Sequence, residues 1–427
     1  MSIAEIHNLF LQTSGVTIDT RKIELNSFFI ALKGERFDAN SFTKEALEKG
    51  ASYVIIDNKD YYIDHRTILV NDSLTTLQEL AKFHRTYLNL PIIALTGSNG
   101  KTTTKELILV VLSKKYNTKA TVGNLNNHIG VPLTLLSFSS STEIGIVEMG
   151  ANHQKEIEFL CEIAQPDYGY ITNFGKAHLE GFGGVKGVIK GKSEMYSYLE
   201  KNHKKVFVNF DDSIQEEKTR AIERITFSQI NENCDLFIQK VIANPFVTIN
   251  YNNSIITSHL IGLYNANNIN AAISIGHAFN VSDNDIKAAL ESYIPENNRS
   301  QLLSKNSNEI ILDAYNANPS SMSVALENFL QLNNPNKIII IGDMFELGED
   351  SLKEHKAIID YLKTNSDIKC FFIGKDFYSN KTENSNHLFY STFEDFIEFL
   401  KNNNFSNTTI LIKGSRGMAL ERTLDYI

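Results

Sequence analysis

Thr96-Gly97-Ser98-Asn99-Gly100-Lys101-Thr102-Thr103-Thr104 lies between two apolar stretches, residues 91–95 before it and 107–112 after it. Glycines, a lysine and hydroxyls in that order, with a strand before and a helix after, suit the phosphate chain of a nucleoside triphosphate. Backbone N–H groups close on the anion, and the helix start adds partial positive charge. In such a loop Lys101 would reach the β- and γ-phosphates and the Thr102 hydroxyl would sit on Mg²⁺. One departure stands out. The general pattern has a glycine five residues before Gly100, where this chain has Leu95, so the loop is shorter than usual.

Further polar positions follow other apolar runs. Glu148 closes the strand-like run 144–148 and precedes Met149-Gly150-Ala151-Asn152. An acid at the carboxyl end of a buried strand beside a phosphate loop is placed to hold Mg²⁺. Residues 172–183 form a Gly-rich polar loop around His178, although a lone loop histidine is ordinarily structural. Lys190 and Lys192 fall in a helical stretch, where lysines are ordinarily solvated. In the last third, residues 313–319, 342–348 and 413–417 are polar loops that each follow an apolar run. Loops after parallel strands emerge at one edge of the sheet, so these three predict a second ligand-facing surface.

The elements that must position these loops follow from periodicity. Strands are expected at 27–33, 53–57, 144–148, 168–172, 206–210, 309–313, 337–341, 370–373 and 409–412. Helices are expected at 43–49, 74–88, 154–163, 185–199 and 265–279, with short antiparallel strands in 224–260. This alternation predicts an α/β protein built on right-handed βαβ units. At 427 residues the chain is too long for one core. Three domains are expected: 1–85, a central 86–296 with a P-loop-type, mostly parallel sheet, and a Rossmann-like 297–427. A net charge of -9 without a basic block argues against nucleic acid as a partner. No apolar run approaches the ~18 residues of a membrane span, so no membrane insertion is expected. Residues 1–15 read as a short amphipathic helix and not a signal peptide. Cys161, Cys234 and Cys370 are far apart, as reduced thiols of a cytosolic protein would be.

Taken together, these residues resemble the Mur ligase family of ATP-dependent amide-forming enzymes. Residues 96–106 (TGSNGKTTTKE) look like that family's shortened phosphate loop, which accounts for the missing early glycine. Residues 313–322 (DAYNANPSSM), 342–351 (GDMFELGEDS) and 413–418 (KGSRGM) most resemble the branch that joins D-alanyl-D-alanine to UDP-N-acetylmuramoyl-tripeptide in peptidoglycan precursor synthesis. Asp19-Thr20-Arg21 and residues 29–38 resemble its UDP-sugar-binding domain, with Asp38-Ala39-Asn40 where many relatives have Asp-Gly-His.

The resemblance implies ATP and Mg²⁺ as cofactors, with Gly97, Asn99, Gly100, Lys101, Thr102 and Thr103 on the phosphates. It implies Thr102, Glu148, His178 and Lys192 at the metal. Lys192 matches a lysine carbamylated in related ligases, with Lys190 as the competing position. Lys101, His178 and Lys192 are implied as catalytic. Residues 262–268 look like the adenine-binding segment, and Asn265 and Asn268 carry over, whereas Tyr264 stands where relatives often have His. Arg299, Asp313 and Lys413 are implied to meet the nucleotide. Asn316, Asn318 and Arg416 are implied to meet it or the incoming dipeptide. A cytoplasmic monomer is expected. The alternative is another Mur-type or folylpolyglutamate-synthase-like ligase that adds a single amino acid.

Overall fold

The computed structural model describes residues 1–296, 298–364 and 367–427. The expected boundary at 296/297 therefore ends at Asn297, outside the described residues.

Three parallel or mostly parallel arrays carry the architecture. The first is a four-stranded parallel sheet in chain order, Val16–Thr17, Phe28–Ile30, Tyr53–Ile56 and Thr67–Leu69. The expected strand 27–33 is shorter, because Lys33–Gly34 leaves the sheet and turns into an exposed hairpin with Phe37–Asp38. The helix Ser73–Leu88 then crosses to the second array. Its Arg85 is almost fully buried and donates to the carbonyls of Ala164 (3.1 Å) and Gln165 (3.0 Å) and to Asp167 (2.8 Å). Asp167 also accepts from the Ile92 N–H at 3.0 Å, so one ion pair ties this helix to the starts of two central strands. Charge-assisted bonds of this kind contribute about 1.5–3 kcal/mol each.

The second array is a seven-stranded parallel sheet in the order Leu236–Phe237, Glu223–Ser228, Lys205–Asn209, Tyr168–Ile171, Ile92–Thr96, Ile144–Glu148, Thr118–Ala120. The chain leaves Ile92–Thr96 toward one edge, then returns and continues on the other side. Its topological switch point therefore lies at the carboxyl end of Ile92–Thr96, where open α/β sheets bind ligands. Ile92, Ala94, Val147 and Ile171 face one apolar core, while Ile93, Leu95, Ile146 and Tyr170 face another. Burial on both faces explains why these strands read as continuous apolar runs.

Two expectations change here. Glu223–Ser228 and Leu236–Phe237 extend the parallel sheet, because the short helix Ser213–Lys218 carries the chain back across it. In this part of the chain the antiparallel strands are Lys240–Ala243, Phe246–Tyr251 and Ser254–Ile261. The expected helix 185–199 is two helices, Val185–Lys192 and Glu194–Lys201, broken after a stretch weakened by Gly187 and Gly191.

The third array has six strands in the order Gln301–Lys305, Asn308–Asp313, Thr409–Lys413, Lys337–Gly342, Lys369–Ile373, His387–Tyr390, with only the first antiparallel. Thr118–Ala120, Gln301–Lys305 and His387–Tyr390 were not expected from the sequence. They are edge strands, three to five residues long, with half-exposed faces. Leu179, Phe182 and Val188 of the central region share an apolar cluster with Met322, Leu326 and Leu347, so the third array is docked on the second. Among the described residues all three cysteines are free, and no helix is long and apolar enough to cross a membrane.

Candidate active site

The phosphate loop leaves strand Ile92–Thr96 and enters helix Lys101–Leu112, whose Leu107, Ile108, Val111 and Leu112 are buried. Gly97 has φ +148°, and a Cβ there would lie 1.9 Å from Thr172 Oγ1. Gly100 caps the helix at φ +79°, against Asn268. Both positions require glycine.

The neighbouring strand end holds the loop in shape. Thr172 Oγ1 donates to the Asn99 carbonyl at 2.5 Å, and Asn173 accepts from Ser98 N–H (3.0 Å) and, through its side chain, from Asn99 N–H (3.1 Å). Among the described residues nothing accepts from the N–H groups of Gly100, Lys101, Thr102 and Thr103. Four free donors at a helix start form an anion site. Lys101 folds back onto the Gly97 carbonyl at 2.7 Å. Burial pulls its pKa down; nearby Glu148 opposes this, and Arg299 adds to it.

Glu148 is buried at the end of Ile144–Glu148. One carboxylate oxygen accepts from Asn126 Nδ2 at 2.8 Å, while Oε2 is buried without a partner. Lys192 is fully buried and its Nζ also has no partner, 5.3 Å from the centre of the Phe182 ring. Burial holds its pKa well below the usual lysine value, with Lys101 adding to the shift and Glu156 opposing it. Lys190 is exposed, so of the two lysines only Lys192 faces inward. His178 is depressed by burial, against the opposing pull of Glu346. Among the described residues no three His, Cys, Asp or Glu side chains cluster to hold a metal unaided. A hard cation at this site fits only as a shared one, with the orphaned Glu148 oxygen and the Thr102 hydroxyl on one side and phosphate oxygens on the other.

A cavity of 1110 Å³ opens between the second and third arrays. It brings together Asn99, Gly100, Lys101, Thr102, Thr103, Glu148, His178, Asn265, Asn268, Arg299, Asp313, Asn316, Asn318 and Lys413. Gly97 sits just behind it, through the Lys101 bond. Lys192 lies outside the lining but within electrostatic reach of Lys101. Arg416 is also off the lining; it lies 5.5 Å from the Tyr315 ring centre and pairs with Glu421.

Asp313 and Lys413 end neighbouring strands in register and form an ion pair at 2.6 Å, with Asp313 also accepting from Ser300 N–H. Arg299 stacks on Tyr315 at 3.6 Å. Asn265 and Asn268 are bonded to each other, and Asn268 accepts from Thr104 Oγ1 at 3.0 Å. Their amides brace the helix Ala266–Ala278 against the start of helix Lys101–Leu112. Sequence reasoning missed Asn126, Asn173 and Tyr315. Asn126 lies in a polar Asn-rich turn after a short strand, a signal that could have been read.

Three family patterns match in succession: the Mur ligase family catalytic domain at residues 12–85, the Mur ligase middle domain at 95–276 and the Mur ligase glutamate ligase domain at 298–416. The chain belongs to the Mur ligase family. It is 34% identical to the UDP-N-acetylmuramoyl-tripeptide–D-alanyl-D-alanine ligase of Bacillus subtilis, over 95% of this chain and 91% of that one. Among solved structures, MurF of Acinetobacter baumannii superposes with a TM-score of 0.84 at 31% identity, covering 98% of this chain and 96% of that one. MurF of Thermotoga maritima in complex with ADP gives 0.83 at 27% identity, covering 98% and 97%.

Gly97→Ala is expected to push Thr172 and the loop apart and to weaken ATP binding at least about tenfold, about 1.4 kcal/mol, by calorimetric titration. Unchanged affinity would contradict the loop assignment.

Proposed function

We infer that this chain is an ATP-dependent ligase that joins D-alanyl-D-alanine to UDP-N-acetylmuramoyl-tripeptide in peptidoglycan precursor synthesis. One observation carries this reading. One cavity is lined by the phosphate loop, by Glu148 and by the Asp313–Lys413 strand ends, and the likeness to ligases of that activity covers 95% of the chain. The division 1–85, 86–296 and 297–427 is supported by the placement of one parallel or mostly parallel array in each part. The first part is assigned the UDP-linked substrate, the second ATP and the third a ligand-binding role toward the nucleotide or the dipeptide. We further propose a cytoplasmic monomer.

The tripeptide's terminal carboxylate attacks the γ-phosphorus of ATP; the bond to the β-phosphate oxygen breaks, ADP leaves and an acyl phosphate remains. The amine of D-alanyl-D-alanine then attacks the acyl carbon, loses a proton, and expels inorganic phosphate as the amide forms. The first step brings anions together. Lys101, released from the Gly97 carbonyl, and the four free N–H groups offset that repulsion. Mg²⁺, when bound, supplies charge neutralisation and Lewis acidity at the phosphates. Thr102, Glu148 and His178 would hold it. Lys192 would contribute as a carbamate, formed when its amine adds CO₂ and loses a proton. The carbamate replaces an orphaned buried amine with an anionic oxygen donor. An acyl phosphate hydrolyses in water, so the docked third array serves to exclude solvent.

Phosphate release should require both UDP-tripeptide and D-alanyl-D-alanine, and Lys101→Ala should abolish it with the thermal transition retained. Release that ignores both substrates would favour a nucleotide switch. Release with a single amino acid in place of the dipeptide would favour the alternative ligases. Lys192→Ala should lose most activity and regain part of it with added short carboxylic acids. Full activity without them would exclude the carbamate.

A further inference from the structure

His178 and Glu346 face each other across the cleft between the second and third arrays. The imidazole Nδ1 bonds to a carboxylate oxygen of Glu346. Both residues hold a left-handed backbone, at φ +51° for His178 and +62° for Glu346, which is uncommon away from glycine. Glu346 is delivered by a loop fixed on three sides. Asp343 accepts from the N–H groups of Asp376 and Phe377, both at 3.0 Å. The Met344 N–H donates to His355 Nε2 at 2.9 Å, and the Phe345 N–H to Ser415 Oγ at 2.9 Å. Two neighbouring bonds hold the same interface, Lys176 to Glu354 and Asn318 to Asn99, each at 2.7 Å.

A carboxylate has no proton to donate, so Nδ1 carries a ring hydrogen, and in the neutral imidazole Nε2 is left with the lone pair. A histidine that binds a metal needs this division of roles, with its second nitrogen donating to an orienting acceptor.

We propose that Glu346 is a positioning residue that fixes His178 in the Nδ1–H tautomer, so that the third array completes the metal-binding side of the second only when the two are docked. The proposal rests on the reading of His178 as a metal ligand. It gives docking a chemical consequence at the phosphates as well as the exclusion of water.

The test uses the full chain labelled with ¹⁵N-histidine, with His178 assigned by comparison with His178→Ala. In the wild type the His178 nitrogens should report the Nδ1–H tautomer. In Glu346→Ala the Nε2–H form should gain population, and Mn²⁺ binding in the presence of a non-hydrolysable ATP analogue should weaken about 10- to 100-fold. Glu346→Gln, whose amide oxygen still accepts, should stay within about threefold of the wild type and keep the tautomer. Wild-type spectra and Mn²⁺ affinity in Glu346→Ala would overturn the proposal. Unweakened Mn²⁺ binding in His178→Ala would instead remove the ligand reading on which it rests. Weakening in His178→Ala but not in Glu346→Ala removes the positioning role alone.

Discussion

The cleft depends on one close approach, that of Gly97 to Thr172. The second strand end crosses the phosphate loop where any side chain larger than hydrogen would collide with the Thr172 hydroxyl. That contact lets Thr172 and Asn173 bond to the loop's outer carbonyl and N–H groups, leaving the inner N–H groups at the helix start free. A parallel sheet with its switch point at this strand supplies both partners at the same edge. A loop with its first glycine two residues later than the general pattern is therefore a shape set by its neighbour.

Charge distribution in the cleft follows from the same geometry. Lys101 and Arg299 bring positive charge into a partly dry space, and burial works against the charged form of Lys101 and of Lys192. Glu148 is the buried counter-charge, and it keeps one oxygen unpaired. Such a site is poorly balanced by itself and well balanced with a triphosphate and a divalent cation in place. Lys413 differs: its partner Asp313 is built in, so this pair orders the facing edge of the third array without a ligand.

Sequence made the chain-local parts legible. Residues 96–106 announce themselves because every donor lies in one short run. Glu148, Asp313 and Lys413 were readable because each ends an apolar strand, and parallel strands present those ends together. Other features depend on which loops become neighbours. Asn173 and Glu346 lie in polar loops that the sequence marks, but their partners are 74 and 168 residues away, so no local pattern shows what either one bonds to. Lys190 and Lys192 could not be separated by type, since residues two apart on a helix point about 200° apart and only packing shows which faces inward. The parallel strand Glu223–Ser228 was misread for a similar reason: its partner is fixed by a six-residue crossover helix.

The central claim is that a carboxylate of one substrate is phosphorylated by ATP in this cleft before the amide forms. The direct measurement is turnover with UDP-tripeptide carrying ¹⁸O in its terminal carboxylate, followed by mass analysis of the released phosphate. An acyl phosphate leaves one carboxylate oxygen on phosphorus, so each phosphate from doubly labelled substrate should carry one ¹⁸O. Phosphate free of label, with amide formed in the same tube, would contradict the account.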